Sequence, residues 1–100
     1  MYASADDVVR RMHAATESSD WRQTALLAQA LLKKSSDDLQ ALFFASMANI
    51  ALNNWDRAAG YLDRLVALVP EMREIQEQRA HVAQMRGDIP TLTAAIGEIV

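Results

Sequence analysis

The 100-residue sequence predicts an all-α chain. Three observations carry that reading. Eighteen alanines and eleven leucines dominate the composition, and both are strong helix formers. Only three glycines and two prolines interrupt the chain. The apolar–polar alternation of a half-buried strand never persists for more than a few residues.

Six helices follow from their punctuation. The first runs over about residues 5–18, opened by Ser4 as cap, with Asp6 and Asp7 at the positive end of the helix dipole. The second covers 21–34, capped by Asp20, with Lys33 and Lys34 at its negative end. The third covers 37–52 behind Ser36, and the fourth covers 55–69 behind Asn54. The fifth covers 71–86, starting after Pro70 and ending at Gly87. The sixth covers 89–99, capped by Asp88, with Pro90 in its first turn. Connections this short force neighbouring helices to lie antiparallel.

The chain also repeats itself with a period of 34. Asp20-Trp21 returns as Asn54-Trp55 and again as Asp88-Ile89. Leu31, Leu65 and Ile99 share one register, Met12, Ser46 and Ala80 another, and Ser19, Asn53 and Gly87 a third at the turn. In the middle copy, Leu42, Ala45, Ser46 and Asn49 are followed by Ala58, Leu62 and Pro70. This pattern resembles the tetratricopeptide repeat family, whose unit is a helix pair of 34 residues. The resemblance implies one domain over 1–100, built from repeats at about 5–38, 39–72 and 73–100 and wound as a right-handed solenoid. Met12 stands where the family has a small residue and Ala28 where it has a large one, an exchange that keeps volume roughly constant. Leu92 replaces the packing alanine, and Asn49 replaces a tyrosine.

Stacking explains the middle copy. A single helix pair cannot cover its own apolar face, whereas a row of pairs shares one core. The helix buried on both flanks is then expected to be apolar nearly all round, and residues 39–52 are. Trp21 and Trp55 are expected to wedge between the helices of their own hairpins.

The residues exclude several kinds of chemistry. With no cysteine there is no disulfide frame and no thiolate site, which suits a reducing compartment such as the cytoplasm. Ten basic against thirteen acidic side chains, a net charge of −3, leave no surplus for a nucleic-acid backbone. The most apolar stretch, 39–52, is too short to span a membrane, and the N-terminal residues do not read as a secretory signal. His13 and His81 share a register two periods apart, too far to hold one metal ion between them. Asp6-Asp7 and Asp37-Asp38 are helix starts, not catalytic pairs, and no serine has a base and an orienting acid nearby. We expect no catalytic residues, no metal and no cofactor. The three repeats each sum to −1, so charge totals single out no face.

In the family the first helix of each pair lines a concave groove that holds a peptide or partner helix. By register, the resemblance assigns that lining to Val9, His13 and Thr16, to Gln40, Phe43, Met47 and Ile50, and to Glu74, Glu77, His81 and Gln84. Val9, His13 and Met47 stand where a clamp for a C-terminal carboxylate would carry cationic and amide groups, which argues against such a clamp. Phe43, Met47 and Ile50 form one helical stripe. It is either a groove floor suited to an amphipathic helix or apolar peptide, or core covered by the neighbouring pair. The expected role is a non-catalytic scaffold for a protein partner. The alternatives are a chaperone of a secretion-type system and a regulatory domain of a larger enzyme such as a glycosyltransferase. Ile96, Ile99 and Val100 leave the last helix apolar where a stack usually carries a polar cap, so the expectation is that further chain follows it, that two copies pair through it, or that a partner covers it.

Overall fold

The computed structural model describes residues 5–99. Its elements are α1 (Ala5–Glu17), α2 (Trp21–Lys34), α3 (Leu39–Ala51), α4 (Trp55–Leu68), α5 (Arg73–Arg86) and α6 (Ile89–Ile99). Each helix packs chiefly against the next, and the molecule measures 47 × 24 × 19 Å. One dimension is about twice the others, so the three hairpins stand in an open row rather than a closed bundle. No helix among the described residues is long and apolar enough to cross a membrane.

The turns inside the hairpins repeat to the atom. Ser19, Asn53 and Gly87 all adopt the left-handed conformation, with φ of 58°, 60° and 70°. After each comes the residue that closes one helix and opens the next. The N–H groups of Asp20, Asn54 and Asp88 donate to Ala15, Asn49 and Ala83 carbonyls at 2.8 Å. Those of Ser19, Asn53 and Gly87 reach back to Thr16, Ile50 and Gln84. This is the Schellman arrangement, which satisfies carbonyls left open at a helix end. The connections between hairpins repeat too: Asp38 N–H donates to Ser35 and Met72 N–H to Val69, both at 3.2 Å.

Two helix starts differ from the sequence reading. Asp38, not Ser36, caps α3, its carboxylate accepting from Ala41 N–H at 3.0 Å. The helix therefore begins at Leu39 and residues 35–38 form the link. Likewise α5 begins at Arg73 rather than at residue 71; Pro70 and Glu71 belong to the turn, and the cap position, Met72, has no side chain able to cap. Asp20 and Asp88 accept from Gln23 and Thr91 N–H as caps do, both at 3.3 Å. Asn54 holds the same position without a side-chain cap bond. The expected cap Ser4 lies outside the described residues.

The core runs the length of the row. Met12, Ala28, Leu42, Leu62, Ile75 and Val82 belong to one buried cluster. Met12 and Ala28 are both fully buried, so the large and small residues exchanged at those positions occupy the same core. α3 is buried or half-buried nearly all round, with Leu39, Gln40 and Ala51 exposed at its ends. Its buried polar groups are satisfied locally. Ser46 Oγ donates to Leu42 O at 2.8 Å, and Asn49 Nδ2 donates to Ala45 O at 2.7 Å. Burying a leucine fully is worth roughly 1.5–3 kcal/mol, so the row is held by its shared interior and the turns fix its register.

Candidate functional site

Helices α1, α3 and α5 carry the expected groove residues, and the face they form has two unlike halves. Between α1 and α3 side chains bridge the two helices. His13 and Gln40 are exposed but joined, Nε2 to Nε2 at 2.9 Å. The His13 ring meets Phe44 edge-on at 4.9 Å. Phe44 in turn meets Phe43 edge-on at 6.1 Å, and Val9, Phe43 and Phe44 pack against the core. Thr16 is not groove lining. Its hydroxyl donates to Met12 O at 2.8 Å and lies 3.2 Å from the buried Thr24 hydroxyl, so it faces α2.

Between α3 and α5 a cleft of about 390 Å³ remains, lined by Met47, Ile50, Glu74, Glu77, Gln78 and His81. Here the stripe divides. Ile50 packs against the core from its half-buried position, while Met47, one period after His13, forms the cleft wall beside His81. Glu74, Glu77 and His81 are exposed along the rim. Glu77 pairs with Arg73 at 3.0 Å, while Glu74 has no ion-pair partner among the described residues. Gln84 is exposed near the end of α5 and outside this cleft.

Trp55 makes a contact beyond its own hairpin. It is half-buried against the core, but its ring meets His81 of the following hairpin edge-on at 5.6 Å, so it braces α4 on α5. Trp21 is also half-buried. The acidic rim was invisible in the charge totals because Arg73, Arg79 and Arg86 share α5 with the two glutamates and cancel them in any sum. Sorting α5 by helical face would have separated Glu74 and Glu77 from Arg79 and Arg86.

A larger hollow, about 550 Å³, lies where α4 starts and α5 ends, but its Arg86 and Asp56 already satisfy each other at 2.9 Å. No group of three His, Asp or Glu side chains is placed to hold a metal ion among the described residues. The Asp88 carboxyl is held below its ordinary value, first by hydrogen bonds from the Thr91 side chain and backbone, then by Arg86 and Arg79. It lies at the start of α6, away from the cleft. On α6 itself Ile89 and Ile96 are exposed and Ile99 is half-buried; Val100 lies outside the described residues.

No protein-family model matches this chain, and no curated protein matches it either.

Proposed function

We propose that the chain is a non-catalytic, tetratricopeptide-like interaction module, and that its α3–α5 cleft takes an apolar side chain from a partner helix or peptide that also carries lysine or arginine. One observation carries this reading: an open cleft with Met47 and Ile50 on one wall and Glu74, Glu77 and His81 on the other. Methionine adapts to irregular ligand shapes, and the carboxylates reward a cation at the edge. The His13–Gln40 bond and the His13–Phe44 contact bridge the α1–α3 half, which favours an anchor point on the α5 side. The lack of cysteine suits work in a reducing compartment such as the cytoplasm.

The test uses a synthetic amphipathic helical peptide with leucines at i and i+4 flanked by lysines, and a twin with glutamates in place of the lysines. Fluorescence anisotropy should show the lysine peptide binding at least about tenfold tighter, the equivalent of one charge-assisted contact. Met47→Lys should remove that binding and leave the melting temperature within a few degrees. Phe43→Asp is a poor probe, because Phe43 packs on the core and a carboxylate there should destabilise the row as well as alter the groove. Equal binding of the two peptides, or survival of binding in Met47→Lys, would sink the reading.

A further inference from the structure

The three hairpins meet at two junctions on the side formed by the even-numbered helices. α2 and α4 flank the first, α4 and α6 the second. The two clefts are copies of each other one period apart: Gln29, Leu52 and Asn54 border the first, and Asp63, Arg86 and Asp88, each 34 residues on, border the second.

Their chemistry differs. At the second junction the chain neutralises its own arginines. Arg86 Nε lies 2.9 Å from Asp56 Oδ1 and its Nη1 lies 3.8 Å from Asp88 Oδ2. Arg79 Nε lies 3.8 Å from Asp63 Oδ1. The space left there is about 20 Å³. At the first junction about 250 Å³ stays open, bordered by Arg22, Arg57, Leu26, Leu52 and Tyr61 and, among the described residues, by no acidic one. Neither arginine makes an ion pair or side-chain hydrogen bond among the described residues. Leu26 is 61% exposed beside them. Asn54, the counterpart of the capping Asp88, has its amide turned onto Asn49 Oδ1 at 3.4 Å instead of capping α4.

We propose that this first junction binds an acidic peptide segment. A glutamate or aspartate carboxylate is taken up by Arg22 and Arg57, and an aliphatic neighbour covers Leu26, Leu52 and Tyr61. The second junction supplies the argument for a carboxylate: in the same architecture, the group that meets arginine is an aspartate, and the cleft is closed. The guanidinium fork suits that planar partner. The exposed leucine and the tyrosine beside the arginines supply an apolar wall, which a small free anion would leave uncovered and a peptide side chain would bury. The site is separate from the acidic α3–α5 cleft and prefers the opposite charge.

The isotopically labelled protein would be titrated by NMR with the capped peptide Leu-Glu-Glu-Leu, with its glutamine twin, and with inorganic phosphate. The glutamate peptide should shift and saturate the resonances of Leu26, Arg57 and Tyr61. The glutamine twin should bind about tenfold or more weakly, the loss expected for a charge-assisted contact. Arg22→Gln with Arg57→Gln should abolish the shifts while the circular dichroism spectrum stays unchanged. Gln29→Asp with Asn54→Asp, which copies the carboxylates of the second junction into the first, should also abolish them and leave the fold intact. Equal affinity for the glutamine twin, binding that survives either double variant, or phosphate giving the same shifts at the same affinity would overturn the proposal.

Discussion

The first and second hairpin junctions share a backbone plan, yet one is open and positively charged while the other is closed by its own ion pairs. Ala28 and Leu62 lie one period apart, and both are fully buried. Just outside them, Asn54 and Asp88 occupy the same turn position with the same backbone hydrogen bond, but only Asp88 caps its helix and meets an arginine. Repetition therefore governs the interior and the turns, where the next hairpin must fit. The surface around each junction is free to diverge, since no neighbour depends on it. That divergence leaves one junction self-satisfied and the other with two arginines that have no ion-pair partner among the described residues.

The largest effect that tests the comparison is in the core. Leu62→Ala should cost about 3 kcal/mol, as deletion of a buried leucine does, and lower the melting temperature by on the order of 15 °C. Inside the first hairpin the sizes are exchanged, so Ala28→Leu alone should overpack the core it shares with Met12 by about 1–3 kcal/mol. Met12→Ala combined with Ala28→Leu should recover most of that loss in thermal melts. A double variant no better than the two singles added together would show that the two positions do not share volume.

The turns come next. Gly87→Ala should cost about 1 kcal/mol, although a methyl group there would meet nothing within 4 Å, because its φ of 70° disfavours any side chain. Ser19→Gly, at the same turn two repeats earlier, should gain a similar amount, about 1 kcal/mol. Chemical denaturation of both variants would show whether the three turns carry equal strain.

The smallest effect sharpens the electrostatic contrast. Asp88 has its carboxyl held below the ordinary value of 3.8, so its charged form favours the folded state. That contribution is fully present above pH 3.8 and is lost as pH falls through the lower folded value. The melting temperature of wild type should therefore exceed that of Asp88→Asn at neutral pH, with the gap closing in acid. At the first junction Asn54→Gln should show no such acid-dependent gap.

Much of this was legible in advance. The repeated Asp-Trp and Asn-Trp pairs marked the hairpin turns, because a turn between helices needs particular residue types at fixed offsets. The starts of α3 and α5 were misplaced by two residues for the same local reason. Ser36 and Pro70 are good starting signals, but Asp38 stood closer to the helix and took the cap of α3, and Pro70 was drawn into the turn. Register placed the expected groove residues on α1, α3 and α5, but their division was not visible. Thr16 turned to Thr24, Phe43 leaned on the core, and Met47 alone of the central stripe borders an open cleft without packing on the core. Register places a side chain on a face; what it touches depends on the neighbouring helix.

From the sequence alone came the helices, their period and the order in which hairpins succeed one another. Those rest on backbone hydrogen bonds, caps and apolar spacing, which act within a few residues of one another. Only the tertiary structure decided which charges meet. Arg86 finds Asp56, 30 residues away, across a helix interface, while Arg22 and Arg57 border the same cleft with no carboxylate between them. Long flexible side chains settle their pairing only after the helices have packed, because the energy of each pair depends on distances that no local pattern fixes.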